Sequence, residues 1–187
     1  ANLFGHVSPT EPQHVLKDLN GKIKLILDGG CCDVGVESTI LDLTCDPPVI
    51  LRPGIISATE ISKVIGKPIE HKHTSTTRAP GTLESHYAPM TPAKMISTEE
   101  LDLLIRAGYK PAPTESKIII LARQHSPISI KNIIWIELPN DPKKYAREIY
   151  RTLRKADEYH ANLILIEEIP TSPGWAAVKD RLSRATC

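Results

Sequence analysis

Aromatic side chains are scarce in this chain. Phe, Trp and Tyr make up 4% of 187 residues, with one Phe and two Trp. Grooves that bind single-stranded nucleic acid stack bases on such rings, so little material for one is present. A charge excess is missing too: 23 Lys and Arg stand against 22 Asp and Glu, a net of +1. That removes any global electrostatic case for a nucleic-acid or membrane surface. No apolar run approaches the ~20 residues that span a bilayer, and no signal peptide opens the chain. The four cysteines, Cys31, Cys32, Cys45 and Cys187, have neither zinc spacing nor the pattern of a secreted disulfide framework, so reduced thiols and a cytoplasmic location are expected. His71 and His73 fall short of the three or four ligands that a metal site uses, and no metal site is predicted.

What is present suits a globular protein of one or two domains. Hydrophobic residues are 41% and charged residues 24% of the chain, with length enough for a real core. The chain opens Ala1-Asn2-Leu3-Phe4-Gly5, with no initiator Met and no strand before the first loop. It is expected to be the C-terminal portion of a longer protein.

Ser8-Pro9-Thr10-Glu11 predicts a helix start, with Ser8 at the N-cap and Pro9 at the first helical position. The helix runs to about Leu19, and Asn20-Gly21 stops it. Its free N–H groups and positive dipole end could hold a phosphate near Asn2 to Thr10, though a single cap is far more often only a cap. Ile23 to Leu27 reads as a strand ending at Asp28-Gly29-Gly30. Val34 to Leu43 reads as a long strand rich in β-branched residues, with Glu37-Ser38-Thr39 inside it. Val49 to Leu51 is a short strand that delivers Arg52 to the turn Pro53-Gly54. Hydroxyls and a guanidinium on neighbouring strands suit a phosphate or another oxyanion. On residue types alone, a solvated strand face and a surface turn are the favoured account of them. Ser57 and Glu60 form a capping box for a helix with Ile61, Val64 and Ile65 on one stripe, closed by Gly66.

Residues 67–93 change character. Pro, Ser, Thr, His and Gly dominate, which marks a linker, and its length points to a function beyond tethering. Residues 94–187 then alternate strands and helices. Strands are expected at 94–96, 117–122, 133–138 and 162–167. Helices are expected from Ser97 and Glu100 to Gly108, from Lys143 to Ala161, and from Ser172-Pro173 through Trp175, Val178 and Leu182. This is a small open sheet flanked by helices. No glycine-rich fingerprint follows its strands, so it has no nucleotide site of its own. The long helix carries Lys143, Lys144, Arg147, Arg151, Arg154 and Lys155. Glu148, Asp157 and Glu158 share that surface, so a solvated face is expected rather than an RNA-binding ridge.

Four motifs lie in order: Ala1-Asn2-Leu3 with Ser8-Pro9-Thr10; DGG…VGVESTILDL…LRPG; RAPG; and HYAP. In order and spacing the chain resembles the two-domain threonylcarbamoyl-AMP synthases. The resemblance implies an α/β fold: part of a YrdC-like twisted mixed sheet over residues 1–66, a linker over 67–93 reaching back to the active site, and a small Rossmann-like domain over 94–187. It implies condensation of L-threonine, bicarbonate and ATP into threonylcarbamoyl-AMP with release of pyrophosphate, feeding the t6A modification of tRNA through downstream threonylcarbamoyl-transfer machinery. Asn2, Thr10, Arg52 and Tyr87 fall on ATP-binding positions and Ser38 on the threonine position. Thr39, Arg78 and His86 are supporting candidates. Mg²⁺ is expected to accompany ATP, and little or no direct tRNA binding is expected. No catalytic acid or base is assigned, because positioning and charge stabilisation carry this chemistry. The family's Lys- and Arg-rich substrate strand and the Ser before the Ala-Asn pair are absent, and Cys31-Cys32 replaces a Pro-Cys. The chain alone is therefore expected to be an inactive fragment of an enzyme. The alternative is a non-catalytic RNA-binding or regulatory α/β module.

Overall fold

The structure is a computed structural model. It describes residues 1–71, 77, 79–83, 86–107, 116–125 and 131–187. The protein is α/β, and two sheets organise it. In the first, β1 (Ile40–Asp42) pairs antiparallel with β2 (Val49–Arg52), and β2 pairs parallel with β3 (Glu70–His71). In the second, β4 (Ala93–Ile96), β7 (Leu163–Glu167), β5 (Ile118–Ala122) and β6 (Ile133–Glu137) run parallel in that order. The helices are α1 (Pro12–Leu19), α2 (Ala58–Ile65), α3 (Thr98–Arg106), α4 (Pro142–Glu158) and α5 (Ala176–Ala185).

The parallel sheet is buried on both faces, as crossover helices require. Side chains alternate along β5. Ile118, Ile120 and Ala122 meet Leu101 of α3 on one face. Ile119 and Leu121 face the other way, with Ile149 and Leu153 of α4 and Val178 and Leu182 of α5. The α4 stripe expected from sequence, Ala146, Ile149, Tyr150, Leu153 and Ala156, is buried. Asp141 caps α4 by accepting from Lys144 N at 2.9 Å, with Pro142 in the first turn. Trp175 packs edge-on against Tyr145, with ring centroids 5.3 Å apart. Trp135 donates its indole N–H to Gln124 O at 2.9 Å. The same core takes in Val7, Val36 and Tyr87, so the first segments dock onto α4 and α5.

Several expectations are corrected. Helix α1 begins at Pro12, with Glu11 rather than Ser8 at the cap; the Ser8 hydroxyl donates instead to Glu37 Oε1 at 2.5 Å. Residues 23–27 form no strand, and Leu25 and Leu27 are exposed. No strand among the described residues pairs with them, and an unpaired backbone has no ladder to join. The long strand over 34–43 shrinks to Ile40–Asp42. Its first part leaves the sheet because Gly35, at φ +81°, presses onto the α4 backbone at Ala146 and Arg147, where a Cβ has no room. The closing helix starts as a 3₁₀ turn, Pro173–Trp175, before α5. Helix α3 is closed at Ala107; Gly108 lies outside the described residues. The basic face of α4 is only partly solvated. Arg154 is buried and donates to Val7 O, Ser8 O and both oxygens of Asp18. Arg151 donates to Glu11 at 3.2 Å. The capping boxes of α2 and α3 and the left-handed Gly66 stand as expected.

Candidate functional site

Arg52 ends β2, where Val49 and Ile50 are buried, and the chain bends at 55–56 after Pro53 and Gly54. Gly54 lies against the backbone at Ser38 and Thr39, where a Cβ would collide. The Arg52 side chain is only 7% exposed. Its guanidinium donates from Nε and Nη2 to Ser38 O at 3.1 and 3.0 Å, and from Nη1 to Pro80 O at 2.9 Å. Both of these carbonyl partners are neutral, as is the Tyr87 side chain that also bonds Arg52, and no carboxylate pairs with Arg52 among the described residues. A buried full charge without a counter-ion is costly, and an anionic ligand would relieve it. Tyr87 lies beside it: the phenol oxygen and Arg52 Nη1 both close over Gly81, where a Cβ would collide with the phenol, and whose φ of +75° is a left-handed conformation that favours glycine. Tyr87 is buried and itself left-handed at φ 61°. Burial, reinforced by the negative charge of Glu37, pushes its pKa up, so it stays a neutral hydroxyl.

The other predicted residues are placed as follows. Ser38 and Thr39 line a cavity of about 540 Å³ with Val34, Val36, Leu41, Ile55, Ile56 and Ile61. No bond to the Ser38 hydroxyl is found among the described residues, whereas the Thr39 hydroxyl donates to Ile56 O at 2.7 Å. Asn2 turns its amide onto its own loop, donating to Leu3 O and His6 O at 3.0 and 3.1 Å. That loop meets the linker through Ala88 N, which donates to Gly5 O at 3.1 Å. Thr10 is buried, and its N–H donates to His14 Nδ1 at 3.1 Å. So Arg52, Ser38 and Tyr87 are brought together. Neither Arg52 nor Tyr87 lines the cavity at Ser38; the Asn2 side chain bonds within its own loop, and Thr10 bonds His14 and, through its carbonyl, Cys32 N at 2.8 Å. His86 stacks edge-on with Tyr87, centroids 4.1 Å apart, and its Nδ1 is buried without a partner among the described residues. Burial lowers the His86 pKa, so the ring is neutral at pH 7. Arg78 and His73 lie outside the described residues. No three His, Cys, Asp or Glu side chains among the described residues group as a metal site would.

Sequence reading missed a second charged cluster. Arg181 of α5 is wholly buried. It donates from Nε to Glu37 Oε2 at 2.8 Å, and the Tyr150 hydroxyl donates to that same oxygen at 2.9 Å. Burial alone would raise the Glu37 pKa, but the bonds from Ser8 and Arg181 and the charge of Arg181 outweigh it and hold the carboxyl below its usual range. A signal was available. Arg181 sits among Trp175, Val178, Leu182 and Ala185, and a charge inside an apolar helical stripe demands a buried partner.

The family model described as "Threonylcarbamoyl-AMP synthase, C-terminal domain" matches residues 56–187. The chain belongs to the threonylcarbamoyl-AMP synthase family. A second family model, described as "Telomere recombination", matches residues 1–54. A curated threonylcarbamoyl-AMP synthase of Pyrococcus abyssi is 34% identical over 193 residues, which cover 100% of this chain and 56% of that protein. One from Bacillus subtilis is 33% identical, over 99% of this chain and 55% of the relative. The chain thus spans a little over half the length of these curated synthases. The crystal structure of P. abyssi Sua5 complexed with L-threonine superposes with a TM-score of 0.81 at 32% identity, covering 99% of this chain and 56% of that one. A P. abyssi Sua5 in which a His and the adjacent Tyr are replaced by Ala superposes at 0.83, with 30% identity and 99% and 55% coverage. No helix among the described residues is long and apolar enough to cross a membrane.

Proposed function

We propose that this chain supplies part of an enzyme that makes threonylcarbamoyl-AMP for t6A formation in cytoplasmic tRNA. The threonine amine adds to bicarbonate, giving a carbamate and water. A carbamate oxygen then attacks the α-phosphorus of ATP, the bond to the β-phosphate bridging oxygen breaks, and pyrophosphate leaves. The observation that carries this reading is Arg52: a buried guanidinium held by the carbonyls of Ser38 and Pro80 and by the Tyr87 side chain, with no carboxylate partner among the described residues. Arg52 stabilises phosphoryl charge, and Ser38 takes threonine. Asn2 and Thr10 hold the nucleotide once they leave their internal bonds, with Thr39, Arg78 and His86 in support. Tyr87 covers the nucleotide and keeps water from the mixed anhydride. Mg²⁺ enters as the ATP chelate, as part of the substrate.

In this reading residues 1–66 belong to the catalytic domain, 67–93 to a linker folded over the nucleotide, and 94–187 to a supporting Rossmann-like domain. The chain alone turns over little or nothing. Polypeptide equivalent to the unmatched length of the relatives covers the exposed apolar side chains of residues 1–66 and completes the site. The alternative, an RNA-binding module, is disfavoured because Arg151 and Arg154 spend their charge on Glu11 and Asp18.

Pyrophosphate release dependent on threonine and bicarbonate is the test, run on this chain alone and joined to that complementary length. Arg52→Ala in the joined protein is expected to lower turnover by about 10²–10³-fold. Unchanged turnover in that variant would falsify the assignment of the site. Full turnover by the 187 residues alone would remove the need for a complement.

A further inference from the structure

The last helix carries a guanidinium that, apart from its bond to the adjacent Asp180, reaches toward the proposed site. Arg181 donates from Nη2 to Glu37 O at 3.2 Å and from Nη1 to Pro53 O at 3.0 Å, besides its bond to the Glu37 carboxylate. Its Cζ lies 5.3 Å from the centroid of the Tyr87 ring. Glu37 precedes Ser38 in the chain, and Pro53 follows Arg52. Arg52 in turn bonds Ser38 O. Two guanidiniums therefore fasten the same two backbone segments, 37–38 and 52–53, and both border Tyr87.

Their charges are treated differently. Arg181 is neutralised by Glu37 and by Asp180, whose Oδ2 lies 2.5 Å from Nη1. The Glu37 carboxylate also accepts from Ser8 and Tyr150, so it is saturated and fixed. Arg52 has two carbonyls and the neutral Tyr87 side chain, and no carboxylate among the described residues. An incoming anion thus has one uncommitted cation to meet, while the other is spent on holding the frame.

We propose that Arg181 is a positioning residue: from the last helix it sets where the Ser38 hydroxyl, the Arg52 guanidinium and the Tyr87 ring stand relative to one another, and so sets the affinity of the site for threonine and ATP. This rests on the site reading given under Proposed function. Arg181 touches no substrate in this arrangement. It acts through Glu37, Pro53 and Tyr87, and couples the Rossmann-like half to chemistry that sits on the other sheet.

The test uses the joined, active synthase at a temperature well below its Tm. Arg181→Lys keeps the charge but loses the fork and the planar contact with Tyr87. KM for threonine and for ATP is expected to rise tenfold or more. Lys179→Ala, at an exposed position of the same helix, is expected to change neither. A purely structural role would lower Tm and leave both KM values alone, and that result overturns the proposal. If Arg181→Lys does not fold, Glu37→Gln carries the test. A rise of about threefold or more in the threonine KM supports positioning, and an unchanged KM rejects it. Arg52→Ala run alongside separates the two levels. Turnover that survives Arg52→Ala sinks the site itself. Turnover lost in Arg52→Ala, with unchanged KM in Arg181→Lys, sinks only the positioning role.

Discussion

Every residue of β5 is buried, on both faces of a four-stranded sheet. In the other half Leu25 and Leu27 stand 74% and 85% exposed. The contrast is general among the described residues. Of 14 exposed large hydrophobic side chains, 11 lie in residues 1–66, whereas only four of the 23 buried ones, alanines left out, do. Composition does not cause this, because both halves are rich in Ile, Leu and Val. The parallel sheet has helices on each face, and the three-stranded sheet has α2 with no buried residue. Where the first half is ordered, it borrows cover from the second: Val7 and Val36 belong to the core of α4 and α5.

That contrast can be broken by substitution. The largest effect is expected from Ile166→Ala in the centre of the parallel sheet, about 2–5 kcal/mol of unfolding free energy by urea titration. Equal tolerance at Ile166 and Leu27 would erase the distinction between the halves. Next is Gly35→Ala, which forces a Cβ into the α4 backbone from a left-handed position and is expected to cost about 1–3 kcal/mol. Hydrogen exchange should then lose protection around 1–42 while 118–122 and 163–167 keep theirs. Uniform loss would mean that the two halves unfold as one unit.

A third effect is acid sensitivity. The Glu37 pKa is lower in the folded protein than its ordinary value of 4.5. The unfolded state therefore takes up a proton first as pH falls. The stabilisation is complete above the ordinary value and is lost as pH drops through the folded one. Tm measured from pH 7 to pH 3 should fall more steeply in the native protein than in Glu37→Gln, and parallel slopes would show that Glu37 does not govern the docking. The smallest effect is at Leu27→Ser, within about 0.5 kcal/mol. Binding of a hydrophobic dye should nevertheless drop, because an exposed apolar side chain has been removed.

The parallel sheet was legible because its signals are local. Apolar runs at 118–122 and 163–167, the α4 stripe and the Ser97 capping box each specify themselves. Arg52 before Pro-Gly, with hydroxyls on a neighbouring segment, was legible as a candidate by chemistry. Its partners were not, since Pro80 is 28 residues away. The strands assigned to 23–27 and 34–43 misled because β-propensity records a side chain that fits a half-buried sheet, and the sheet must exist. Gly35 shows the competing force, a close backbone approach to α4 that no window of neighbouring residues encodes. Arg181 was hidden for the same reason: its partners Glu37 and Pro53 lie 144 and 128 residues away.

Both indoles, Trp135 and Trp175, sit in or against the parallel sheet. Intrinsic fluorescence therefore reports on one half of the molecule alone. A melt followed by that emission would record the sheet's collapse and remain blind to an earlier detachment of the segments bearing Ser38 and Arg52. Only a reporter placed among the first 66 residues would see the half where the proposed substrates bind come loose.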